Sequence, residues 1–108
     1  MPDDKSEQYE LSRIGATPTK NSGRGAFDKG DGILFIDKEA VFTCDVKEYT
    51  KSYPMSLANL AKISTDARKN QTQPLLQLVI GPVEPRQRWI AIPENMFIEL
   101  WEVYKENQ

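Results

Sequence analysis

Asp31, Asp45 and Lys47 are the residues of this chain whose types and spacing could do chemistry together. Asp45 and Lys47 are two positions apart, so on a strand both side chains leave by the same face. Asp31 opens the preceding apolar run, and a hairpin between the two runs would bring it close to Asp45 near the open end. Two carboxylates side by side repel unless a proton or a cation is shared between them. A divalent ion resolves the repulsion. Mg²⁺ takes oxygen ligands in octahedral geometry and retains waters, so Asp31, Asp45, the Val46 carbonyl and phosphate oxygens would fill its shell. Lys47 could then orient or help deprotonate an attacking water, or neutralise charge on a scissile phosphate. The plainer alternative is a solvated face or a surface ion pair, since Asp-x-Lys on a strand is common.

The rest of the composition narrows the chemistry by exclusion. The chain has 108 residues, no histidine and one cysteine. Cys/His zinc sites, disulfide frameworks and Ser-His or Cys-His triads are therefore ruled out. Hydrophobic content of 39% with charge of both signs fits a single domain over residues 1–108 with one core. A domain this small favours a shallow cleft or a dimer seam over a deep pocket, which suits a polymer substrate. The net charge of -2 does not announce a nucleic-acid binder, but Lys20, Arg24 and Lys29 cluster in a Gly/Ser-rich stretch. No apolar run approaches the roughly 18 residues of a membrane span. The acidic start Met-Pro-Asp-Asp-Lys is not signal-like, so a cytoplasmic protein is expected.

The elements that must position these groups can be read from periodicity and punctuation. Tyr9, Leu11 and Ile14, ended by Gly15, predict a short helix over 5–14. Thr17 to Gly32 is dense in Gly, Pro, Asn and Ser and reads as a long loop. Residues 33–36 and 40–47 predict two antiparallel strands joined by the polar turn Asp37-Lys38-Glu39. Ser56 caps a helix running to about Asn70. Leu75 to Ile80 reads as an interior strand, Trp89 to Ile92 as a further strand, and Met96, Phe97, Leu100, Trp101 and Tyr104 as a closing amphipathic helix. The expected order is α-β-β-α-β-β-α, an α/β domain with a mixed central sheet. The spacing of Trp89, Phe97, Trp101 and Tyr104 favours core packing, or a dimer interface for the last helix, over base stacking. Cys44, inside an apolar strand, is expected to be a buried small hydrophobe.

The run Ser22-Gly23-Arg24, then Asp28-Lys29-Gly30-Asp31, a strand, and Asp45-Val46-Lys47 with Ser52 resembles the small phage nucleases and Holliday junction resolvases of the PD-(D/E)XK superfamily. The similarity runs from about Glu7 to Phe97. It implies a restriction-endonuclease-like core, with Asp31 as the first motif aspartate, Asp45 as the (D/E) and Lys47 as the motif lysine. Gly30 stands where the pattern has proline, which is expected to loosen the turn while keeping the carboxylate. The resemblance further implies a glutamate from the first helix, for which Glu7 is favoured and Glu10 competes. Ser22, Gly23 and Arg24 match a loop that approaches the DNA backbone, with Lys20, Lys29 and Ser52 beside it; the alternative is a flexible solvated loop.

The implied function is a metal-dependent DNA endonuclease that hydrolyses phosphodiester bonds with Mg²⁺ or Mn²⁺ and acts on branched or four-way junctions. Cutting two strands symmetrically needs two sites, so a homodimer is expected. The alternatives are a nicking or homing-type endonuclease of the same fold, a catalytically inactive DNA-binding module, and an interaction domain in which Asp-x-Lys is accidental.

Overall fold

A computed structural model of the chain describes residues 4–19, 27 and 29–108. In chain order the elements are α1 (Asp4–Arg13), β1 (Thr17–Pro18), β2 (Gly32–Ile36), β3 (Glu39–Tyr49), α2 (Leu57–Lys69), β4 (Gln73–Ile80), β5 (Gln87–Ala91) and α3 (Glu94–Glu106). The strands form one five-stranded sheet in the order β1-β2-β3-β4-β5. Only β3 and β4 run parallel, linked by the α2 crossover, and every other neighbouring pair is antiparallel. No helix among the described residues is long and apolar enough to cross a membrane.

The α/β class and the mixed sheet agree with the sequence reading, but the element order differs in one place. Part of the expected loop is a strand: Thr17 and Pro18 pair with Ile33 and Gly32. Gly15, at φ 81°, turns the chain out of α1 and back along β2. A two-residue strand shows no periodicity, so nothing in the pattern of side chains could announce it.

Alternation along β3 divides its residues between two faces. Cys44 and Val46 join Leu11, Ala16 and Leu75 in a core beneath α1, with Ile14, Leu34, Phe42 and Ile92 packed around it. Cys44 is wholly buried, and burial, with Asp45 and Asp31 adding to it, pushes its thiol up to about 12, so it is inert packing. The opposite face carries Thr43, Asp45 and Lys47 towards α2. Ser56 caps that helix by accepting from Asn59 N at 3.1 Å, and Ile63 and Ala67 bury its inner side. A bulge between Leu34 and Phe35 interrupts the β2–β3 ladder.

The expected core role of the late aromatics does not hold. Trp89 is 65% exposed, Phe97, Trp101 and Tyr104 are all exposed, and Met96 is the one buried side chain of α3. The three- and four-residue spacing correctly gives a helix with an apolar face, but nothing among the described residues covers most of that face.

One buried polar cluster ties α2 to the turn that leads into β2. Asn70, the C-cap residue, donates through Nδ2 to the Lys29 carbonyl at 3.1 Å and to Thr43 Oγ1 at 2.9 Å. Thr43 and Thr72 hydroxyls pair at 2.6 Å, and Thr72 also donates to the Ala67 carbonyl at 3.0 Å. Asn70→Ala takes a donor from the Lys29 carbonyl and from the wholly buried Thr43 hydroxyl, which is left with Thr72 alone. Loss of about 1–3 kcal/mol of stability is expected, checked by urea melts against Asn59→Ala, which removes an exposed bond. Equal losses from the two variants would show that the cluster does not clamp the turn.

Candidate active site

The turn at Lys29 and Gly30 is where the sequence departs from the pattern it resembles, and the backbone gives the reason. Gly30 sits at φ 78°, a conformation closed to proline and strained for any L side chain. A Cβ there would also overlap Thr43 Cγ2. Glycine thus makes a tight, left-handed turn against β3, rather than the loosened turn expected from the loss of proline, and it delivers Asp31 to the edge of β3.

Beyond Gly32, which pairs with Cys44, Asp31 continues the ladder in a different way. Its backbone N–H donates to the Cys44 carbonyl at 2.9 Å, and its side-chain Oδ2 accepts from Val46 N at 2.7 Å. The carboxylate replaces the carbonyl that a longer β2 would have supplied. In an antiparallel ladder a residue's N–H and C=O project to the same edge, so the Val46 carbonyl lies on the side of Asp31.

Asp45 follows Cys44 and is 6% exposed, with an Oδ2 that has no hydrogen-bond partner. Burial first, and then the neighbouring Asp31 charge, push its carboxyl up to about 6, with Lys47 working against both. Lys62 and Asp66, paired at 3.1 Å on α2, also bear on Asp45 in opposite senses. A carboxylate withdrawn from water, without a partner for one oxygen and beside a second carboxylate, is the environment that a bound cation would relieve.

An open cleft of about 460 Å³ lies at this end of the sheet, lined by Glu7, Asp31, Val46, Lys47, Glu48, Tyr49 and Thr50. The two glutamates of α1 that compete for the site are separated by the structure. Glu7 lines the cleft, whereas Glu10 is buried elsewhere at 1% exposure, held by Arg88 Nε at 2.9 Å and Arg88 Nη2 at 3.0 Å. Glu48, next to Lys47 but on the α1 face, accepts from Ser6 and forms an ion pair with Arg86 at 3.0 Å. This ties α1 and the segment before β5 to the cleft wall.

The structure therefore brings Glu7, Asp31, Val46 and Lys47 to one cleft, with Asp45 buried beside Asp31. Among the described residues no three Asp, Glu or Cys side chains converge as a metal-binding group, so two carboxylates are the protein's strongest offering. Lys29 is half-buried at the turn. Ser52 is exposed past the end of β3 and is not part of the cleft lining. Lys20, Ser22, Gly23 and Arg24 lie outside the described residues. Sequence reasoning passed over Glu48, Tyr49 and Thr50, although the continuation of the strand past Lys47 was the available signal. It also passed over Lys62 and Asp66, whose four-residue spacing on a helix is a sequence-level pairing cue.

No family model matches the chain, and neither a curated protein nor a solved structure matches it.

Proposed function

We propose that this chain is a divalent-metal-dependent DNA endonuclease with a restriction-endonuclease-like core of the PD-(D/E)XK type, acting on branched or four-way junction DNA. The observation that carries the reading is the Asp31–Asp45 pair: a carboxylate just before β2 beside one within β3, the latter buried with an unpartnered oxygen. That donor set fits Mg²⁺ or Mn²⁺. Asp31, Asp45 and the Val46 carbonyl would hold the ion, leaving further positions to water and phosphate oxygens. The bound ion supplies Lewis-acid stabilisation of phosphate charge and a more acidic water.

The side chains do the remaining work. The Val46 N–H fixes the Asp31 rotamer through a 2.7 Å bond, so its carboxylate is preorganised before substrate arrives. Lys47 emerges on the same strand face as Asp45 and, at the cleft, places a positive charge where a scissile phosphate would develop negative charge. Glu7 faces the same cleft from α1 and is positioned to orient water. The open cleft admits a polymer backbone, and Lys29 with Lys20 and Arg24 would add phosphate contacts.

The second reading is a DNA-binding module of the same fold that does not cut, favoured by the absence of a third converging carboxylate among the described residues. Incubation with labelled four-way junction and matched linear duplex, in Mg²⁺, Mn²⁺ or EDTA, separates the two. The endonuclease predicts junction cutting that EDTA abolishes. Binding without cutting in either metal would sink it in favour of the module. The absence of both binding and any divalent-ion heat in calorimetry would sink both readings.

A further inference from the structure

We infer that the aromatic stripe of α3, with the apolar groove at its root, is a two-fold interface with a second copy of this chain. Apart from its first turn, where Met96 is buried, α3 has no extensive packing against another element among the described residues. At 3.6 residues per turn, Phe97, Leu100, Trp101 and Tyr104 fall on one face of the helix. Their rings are already ordered: Phe97 stacks on Trp101 at 6.3 Å between centroids, and Trp101 on Tyr104 at 5.6 Å. All four side chains are about half exposed. A 13-residue helix with so little tertiary support is marginal in water, so a stable α3 implies something that covers the stripe.

The surface continues past the helix. Pro93, the N-cap residue of α3, lines an apolar groove of about 270 Å³ with Met55, Leu60, Leu76 and Ala91. Trp89, two residues back from Ala91 on the same face of β5, adds another exposed ring. With aromatic side chains offering 150–250 Å² each, the stripe and Trp89 expose on the order of 600 Å² of apolar area. That is most of the ~800 Å² per partner in a stable interface.

Charge selects the occupant. Glu99, Glu102 and Glu106 lie on the side of α3 turned away from the stripe, so two copies can pack stripe to stripe without opposing their carboxylates. The same acidic residues disfavour nucleic acid or an anionic membrane on this helix. The three- and four-residue ridges suit direct helix-on-helix packing.

The inference does not depend on the nuclease reading, and its test uses neither metal nor DNA. Sedimentation of the full chain from about 1 to about 100 µM should show a dimer at the upper end that dissociates on dilution. The chain's two tryptophans, Trp89 and Trp101, both lie on this surface, so fluorescence emission should move to longer wavelength as the dimer parts. The paired change Phe97→Glu and Leu100→Glu retains both reporters and should raise Kd by about a hundredfold or more. Glu102→Lys, on the far side, should leave it within about threefold. If the paired variant does not fold, Tyr104→Lys at the far end of the helix is expected to show the same direction of change. A wild-type protein that stays monomeric throughout, or a dimer indifferent to the stripe variants, would overturn the inference.

Discussion

Asp45→Asn should abolish DNA cutting and, in EDTA at neutral pH, make the protein more stable than the wild type. The Asp45 carboxyl is pushed up to about 6 from an ordinary 3.8, first by burial and then by Asp31. The folded protein therefore binds that proton more tightly than the unfolded chain. Stability from this group is fully present below about pH 4 and is lost as pH rises through about 6. Holding the charge at neutral pH costs about 3 kcal/mol. Asparagine removes the charge but brings an amide that itself needs partners, so a net gain of about 1–2 kcal/mol is expected. Urea melts of both proteins in EDTA should coincide near pH 4 and separate progressively up to pH 7. Added Mg²⁺ should then close the gap by stabilising the wild type alone. A difference independent of pH would show that Asp45 is not held under charge stress. A variant that still cuts would remove Asp45 from the chemistry.

The second large effect concerns the other acidic residue of the first helix that sequence alone could not assign. Glu10→Ala should cost about 3 kcal/mol of stability. Glu10 is 1% exposed, and it meets Arg88 through two bonds and Arg86 at 3.6 Å. Removing it leaves a guanidinium largely withdrawn from water. Glu84, itself well exposed, keeps a 2.6 Å contact to Arg88 and limits the loss. Glu10→Ala combined with Arg88→Met should recover much of the stability, because the pair is then removed together. Glu7→Gln, by contrast, should act on the cleavage rate and lower it. A cycle in which the double variant is no better than Glu10→Ala would argue against the ion pair as the source of the loss.

These two glutamates illustrate how far the sequence could be read. Glu7 and Glu10 are three residues apart, less than one helical turn on α1, so sequence alone gives them nearly the same claim. Only the position of Arg88, from the far end of the sheet, separates them. The hairpin, the adjacency of Asp31 and Asp45, and the common face of Asp45 and Lys47 follow from period-two alternation and turn residues, and were legible. The left-handed turn at Gly30 was not, because it is set by contact with Thr43 across the ladder. The exposure of Trp89 and Trp101 was equally hidden: periodicity shows that a helix has an apolar face, but not which surface meets it. The Glu48–Arg86 and Glu10–Arg88 pairs join residues 38 and 78 positions apart, beyond the reach of local pattern.

The bulge at Leu34 and Phe35 has a consequence for the fidelity of the site. Slipping β3 by a single residue against β2 would turn Cys44 and Val46 out and Asp45 and Lys47 into the apolar layer beneath α1. No partly correct version of the cleft survives such a slip, since the same move that loses the carboxylate pair also charges the core. An irregularity that occurs at one place in the ladder favours one alignment, so a neighbouring register would not keep this cleft. The cleft and the packed core are thereby gained or lost together, and a molecule that holds one holds the other.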